Sequence, residues 1–163
     1  MSFKIRNMMK EDIKQVQNIA RVSWHSTYED IIPRKIQDSF LDKAYGDEMM
    51  KRRLKQSIIF VAEVEGEVIG FANYSPINQD MVTELIAIYL YSDYRGKGIG
   101  TAFLEAGIRE LRSVKEIHLN VEKNNHIGMN FYEAKGFEII SEFDDDFDGH
   151  MLKTVRMVLE IPQ

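Results

Sequence analysis

Thr83 to Leu104, TELIAIYLYSDYRGKGIGTAFL, constrains this chain more than any other stretch. From Thr83 to Leu90 nearly every position is apolar. Strict alternation puts Ile86, Ile88 and Leu90 on one face and Leu85, Ala87 and Tyr89 on the other. A strand apolar on both faces belongs in the middle of a sheet that is covered on both sides. A four-residue turn then leads to Arg95-Gly96-Lys97-Gly98-Ile99-Gly100. Glycines at alternate positions leave the backbone amides uncovered, and a helix beginning near Gly98 aims its free N–H groups the same way. With Arg95 and Lys97 adding charge, that predicts a phosphate or pyrophosphate site. The plainer alternative is a flexible connection with solvated basic residues.

The remaining chain reads as a series of short elements. Phe3-Lys4-Ile5-Arg6 alternates like a strand. Glu11 and Asp12 open a helix whose stripe is Ile13, Val16, Ile19, Ala20 and Trp24. Pro33 disfavours helix at Ile32 and can begin a second one. Arg34 to Leu54 predicts short surface helices divided by Gly46. Ser57–Val64 and Glu67–Tyr74 predict two strands joined by a tight Glu65-Gly66 turn, with Gly66 free to take positive φ. The helix after the glycine loop runs to about Val114, and Glu116–Val121 is a further strand. Asn124 or Asn125 caps a helix that ends at Gly136. Phe137–Phe143 and Met151–Ile161 are the last strands, linked by Asp144-Asp145-Asp146 and Asp148-Gly149. Helical crossovers join only the later strands, so the sheet is mixed α/β with helices on both faces.

Composition removes several classes of function. At 163 residues one domain spanning 1–163 is expected. A net charge of −5 gives no basic field for a nucleic acid. There are no cysteines, hence no thiol nucleophile and no zinc-thiolate site, which fits a reducing, cytoplasmic setting. His25, His118, His126 and His150 show no metal-ligand spacing, so no metal is expected. No signal-peptide pattern and no apolar run of about 18 residues is present, so no membrane association is expected.

Two motifs together carry a resemblance. Arg95, Gly98 and Gly100 fit a (Gln/Arg)-x-x-Gly-x-(Gly/Ala) signature. Asn125, Phe131, Tyr132, Gly136 and Phe137 fit Asn-x-x-Ala-x-x-Phe-Tyr-x-x-x-Gly-Phe, with Gly128 where alanine is usual. Across most of its length the chain resembles the GCN5-related N-acetyltransferase superfamily. The Trp24-His25-x-x-Tyr28 segment is similar to the bacterial branch that acetylates small amines. The resemblance implies a six- to seven-stranded, mostly antiparallel sheet with a splayed central parallel pair and about four helices. It implies acetyl-coenzyme A as donor, the pyrophosphate lying on Arg95, Gly96, Lys97, Gly98, Ile99, Gly100 and Thr101. The pantetheine would lie along Ile88, Tyr89 and Leu90, near Asn125 and Tyr132. It implies an N-acetyltransferase acting on a primary amine of a small molecule or peptide by direct attack. Relatives often pair through their final strands, so a homodimer is one expectation. The alternatives are a non-catalytic acyl-coenzyme A binder and, less well matched, a nucleotide module; Gly96-x-Gly98-x-Gly100 is neither a dinucleotide fingerprint nor a P-loop.

The resemblance makes Tyr132 the general acid, since a phenol of pKa about 10 can protonate a thiolate whose acid lies at about 8.5. From the residues alone, Phe131-Tyr132 is equally an aromatic pair on the core side of a helix. Glu84 stands in an otherwise apolar strand, where burial would raise its pKa and suit it as a base. Otherwise it marks the strand's exposed beginning or pairs with a lysine. Asn125 contacts pantetheine, a water, or simply its own helix. Trp24, His25 and Tyr28 are candidate walls for a cationic acceptor, with core packing the plainer reading for Trp24 and Tyr28. Asp144–Asp148 either steers a cation or is a solvated hairpin.

Overall fold

The computed structural model describes residues 1–163. In chain order the elements are β1 (Lys4–Asn7), α1 (Ile13–Tyr28), α2 (Arg34–Ala44), α3 (Asp47–Gln56), β2 (Ile58–Val64), β3 (Glu67–Tyr74), β4 (Val82–Leu90), α4 (Ile99–Glu110), β5 (Glu116–Glu122), α5 (His126–Ala134), β6 (Glu138–Phe147) and β7 (His150–Glu160). The strands form one seven-stranded sheet in the order β1-β2-β3-β4-β5-β7-β6. Only β4 and β5 are parallel. They are the pair joined by a helical crossover between sheet neighbours, as the connection requires. No helix is long and apolar enough to cross a membrane.

Each face of the sheet has its own core. Phe103 and Leu104 of α4 pack with Tyr74, Ile117 and Leu119 on one side. Val16, Ile19 and Trp24 of α1 pack with Val61, Phe71 and Ala87 on the other. The β2–β3 turn places Glu65 at φ 50° and Gly66 at φ 82°, both left-handed, which matches the right-handed twist of the strands it joins.

Four expectations need correction. First, β4 does not alternate strictly. Its register against β3 jumps: Asn73 faces Ala87 and Tyr74 faces Leu85, so Ile86 is the extra residue of a β-bulge. Leu85 therefore joins Ile88 and Leu90 on the α4 side, whereas Ala87 and Tyr89 face α1. Ile86 is 49% exposed, so the strand is not covered on both sides throughout. Second, Asp144 to Asp146 belong to β6, which pairs with β7 as far as Phe147–His150; the turn is Asp148-Gly149 alone. Third, α2 is more than a surface helix. Its Gln37 is fully buried and donates to the carbonyls of Tyr28 and Ile32 at 3.0 and 2.9 Å, tying α2 to the turn that follows α1. Fourth, Glu11 and Asp12 lie in a 3₁₀ turn before α1, and α4 stops at Glu110.

Asp12 anchors that turn. Arg6 donates to it at 2.8 and 3.0 Å, the Met9 N–H donates at 2.7 Å, and Arg6 also reaches Glu63. Arg6 above all, helped by the Met9 N–H, holds the Asp12 carboxyl below the usual carboxylate range against the opposing effect of burial. The folded value is depressed, so this stability is present above the unfolded value of about 3.9 and is lost as pH falls through the folded one. Asp12→Asn should lower stability at pH 7 by about 2 kcal/mol, between the limits for exposed and buried pairs. Urea melts should show the gap to wild type closing as pH drops from about 4 toward 2.

Candidate active site

The site begins where the sheet parts. β4 and β5 pair at Val82–Glu116, Thr83–Ile117 and Glu84–His118, and no further. Beyond the Ile86 bulge β4 stays on β3 as far as Leu90, and β5 stays on β7 as far as Glu122. Half of the backbone groups of each strand thus face the gap without a ladder partner. The parting opens a cavity of about 590 Å³ lined by Leu85–Leu90, Asn120, Val121, the glycine loop and α5.

The loop closes one end. Gly96 and Gly98 sit at φ 73° and 85°, a conformation that side chains with a Cβ rarely adopt. Gly98 is the N-cap of α4 and offers no side chain to cap it. The first helical bond runs from Ala102 to Gly98, so the N–H groups of Ile99, Gly100 and Thr101 have no helical acceptor. Arg95, Gly96, Gly98, Ile99, Gly100 and Thr101 all line the cavity; Lys97 does not. A Cβ on Gly100 would stand 2.8 Å from the Phe131 ring, so this glycine lets α4 and α5 approach closely.

α5 supplies the phenol. The Asn125 side-chain oxygen Oδ1 accepts the Gly128 N–H at 3.0 Å and caps the helix. A Cβ at 128 would lie 2.8 Å from the Asn125 amide nitrogen, so glycine in place of the usual alanine leaves room for that side chain. Tyr132 opens into the cavity, edge-on to Phe131 and Phe137 at 5.6 and 5.5 Å. Burial pushes its phenol well up, with Tyr28 and Tyr74 adding to the effect. Burial also pushes Tyr28 up to about 12, partly offset by the Asn125 side chain beside it. Tyr89 is raised by burial too, and its hydroxyl accepts the Trp24 indole N–H at 2.9 Å. These phenols stay protonated at neutral pH and are donors.

The expected acceptor wall is only partly assembled. Tyr28 lines the cavity. Trp24 instead stacks on Phe40 at 4.5 Å and on Phe147 at 5.8 Å, in the core. His25 is turned to Asp38, 2.8 Å away. Glu84 lies outside the cavity, and its side chain, 40% exposed, is ion-paired with Arg156. Arg156 also donates to Asn120 at 2.9 Å and to His118 at 3.2 Å. The expectation of an unpaired carboxylate in apolar surroundings is therefore wrong. Glu84 occupies the strand's open beginning, and its partner is an arginine rather than a lysine. The Asp144–Asp148 hairpin is docked through Phe147, and His150 donates to the Ile31 carbonyl at 2.9 Å.

Ser23, Thr27, Asn120, Ile127 and Lys135 also line the cavity and were not singled out from sequence. Lys135, four residues after Phe131, lies over that ring at 5.8 Å, a spacing legible in the sequence. The others reach the cavity by tertiary placement alone.

The comparisons agree with this geometry. The model of the acetyltransferase (GNAT) family matches residues 14–137. A spermidine N(1)-acetyltransferase of Thermoplasma acidophilum is 31% identical over 155 residues, covering 90% of this chain and 95% of that protein. An uncharacterized N-acetyltransferase of Bacillus subtilis, YuaI, is 33% identical over 159 residues, covering 94% and 90%. The crystal structure of the PaiA N-acetyltransferase from Thermoplasma acidophilum in complex with coenzyme A matches at TM-score 0.84 and 25% identity, covering 99% of this chain and 100% of that one.

The close approach of the two helices is testable. Gly100→Val should force the Phe131 ring aside and cost about 1–3 kcal/mol. Thermal melts check this, and a wild-type Tm would show that the contact is loose.

Proposed function

The chain belongs to the acetyltransferase (GNAT) family, and on that premise we propose that it moves the acetyl group of acetyl-coenzyme A onto a primary amine of a small cationic molecule, inside the cavity between β4 and β5. The observation that carries this reading is the meeting, in one cavity, of an unpaired strand edge, a bare helix N-terminus and a buried phenol. The pyrophosphate lies on the amides from Gly96 to Thr101 with Arg95 beside it, where the helix dipole favours negative charge. The pantetheine lies along Ile88–Leu90 and its amides take up the open backbone groups of Ile88 and Leu90, those of Tyr89 being turned to β3, much as an added strand would.

The chemistry follows from these positions. The amine nitrogen attacks the thioester carbon, and the N–H of Leu90 faces the oxygen as charge develops on it. The carbon–sulfur bond breaks, and Tyr132 gives its proton to the departing thiolate. Asn125 keeps the start of α5, and with it Tyr132, in place. The proton shed by the nitrogen leaves on the acceptor side. Solvent takes it up, since Glu84 stands outside the cavity and is ion-paired with Arg156. Attack on the thioester is direct, with no cysteine in the chain to carry the acetyl group in between. A net charge of −5 and the spermidine acetyltransferase relative both support a cationic alkyl amine as acceptor.

Two substitutions test the reading. Tyr132→Phe should lower kcat with amine acceptors at least tenfold while the KM for acetyl-coenzyme A stays within about twofold; unchanged turnover would refute the acid role. Gly98→Val places a β-branched residue at φ 85° and costs about 1–3 kcal/mol in the loop. Coenzyme A affinity by calorimetry should fall at least tenfold. Normal binding would move the phosphates elsewhere.

A further inference from the structure

The cavity wall carries two cations and nothing to neutralise them. Arg95 and Lys135 line it, whereas no aspartate, glutamate or histidine does. Neither cation belongs to any ion pair of the protein. Lys97, the other cation of the glycine loop, does not line the cavity. A wall of this kind attracts anions. Arg95 has its part beside the pyrophosphate at the loop. Lys135 has no part in the reaction described above.

Local structure fixes where Lys135 stands. It is the C-cap of α5, and its N–H donates to the carbonyls of Phe131 and Tyr132, both at 3.1 Å. Gly136, at φ 98°, then turns the chain away. The lysine side chain is half-buried and lies back along its own helix, with the ammonium 5.8 Å from the centre of the Phe131 ring. That ring meets the first turn of α4, 2.8 Å from where a Cβ on Gly100 would stand. Phe131 therefore places the ammonium beside the start of α4. The same cavity touches Ile88 and Leu90 in the parting and Lys135 at the end of α5, so it reaches from one to the other. The ring face and the helix dipole both favour a cation at this position, but neither supplies it with an anion.

Coenzyme A carries its negative charge in two places. The pyrophosphate follows the pantetheine, and a monophosphate stands on the ribose 3′ oxygen further on. From the juxtaposition of a bare helix start, the Phe131 ring and a cation without a counter-ion, we propose that Lys135 binds the ribose 3′-phosphate. The site is thereby selective for coenzyme A over thioester carriers that share its pantetheine and lack this phosphate. A lysine suits the task. Its ammonium is a compact point charge that meets a monophosphate without the fixed fork an arginine presents. The inference rests on the reading above that acetyl-coenzyme A is the donor, and it adds which further part of the donor is recognised.

Calorimetry with coenzyme A and 3′-dephospho-coenzyme A, on wild type and Lys135→Gln, tests this without turnover. Wild type should bind coenzyme A about tenfold more tightly, as one charge-assisted contact allows. Lys135→Gln should weaken coenzyme A alone and bring the two affinities within about twofold of each other. Lys135→Arg, which keeps the charge, should keep most of the preference. Equal affinities in wild type overturn the proposal, and so does a preference that survives in Lys135→Gln. Parallel weakening of both ligands in Lys135→Gln makes the lysine a support for α5 and overturns the proposal as well. Thiol release from the two acetylated coenzymes, with a panel of amines, separates the site from the reaction. A wild type that shows the preference in binding but acetylates no amine keeps the phosphate site while the acetyltransferase reading falls. A wild type that acetylates amines from both donors with equal KM keeps that reading and loses the site.

Discussion

A sheet that stops pairing in its middle must hold itself together by other means, and the single-residue bulge at Ile86 sets that problem. Past it, β4 and β5 forfeit their mutual hydrogen bonds and leave polar edges facing a cavity. Each strand is secured on its outer side instead, β4 by β3 and β5 by β7. The two cores complete the hold. Side chains of α4 span the parting from one face, and α1 lies over β3 and β4 on the other. The gap is thus a fixed feature of the fold, and its open amides and carbonyls await a ligand that can supply partners of its own.

The same economy governs the helix ends. The start of α4 is left uncapped and faces the cavity, whereas the start of α5 is capped by its own Asn125. An unsatisfied N-terminus is an anion site; a satisfied one is a mount. That difference leaves the start of α4 open to a ligand and fixes α5, which carries Tyr132. Gly100 links them, because its missing Cβ allows the Phe131 ring against α4 and so sets how far Tyr132 stands from the loop.

Legibility in the sequence followed the range of the interactions. The strand, the glycine loop, the start of α4, the Asn125 cap and the left-handed Gly136 are decided within a few residues of each other, and each was readable. The bulge was not. It is a mismatch between β3 and β4, and an alternating pattern in one strand carries no trace of a partner that slips by one. Nor was the fate of Glu84, since Arg156 lies 72 residues away and arrives only because β7 returns beside β5. Trp24 and His25 were drawn to the site by proximity in sequence to Tyr28. Helical geometry turns these neighbours to different sides, and α2 and the β6–β7 hairpin claim them.

This division has a consequence for how such a protein specialises. Much of the cavity wall comes from two contiguous stretches, Leu85 to Thr101 and Asn125 to Lys135, so local motifs carry it. The rest of its wall comes from Ser23, Thr27 and Tyr28 of α1 and from Asn120 and Val121 of β5, which meet only in the folded chain. A substitution there changes the cavity wall without disturbing the parting, the loop or the phenol. What the cavity admits is therefore set by residues that only the folded chain brings together, whereas the loop and the phenol are placed by local motifs.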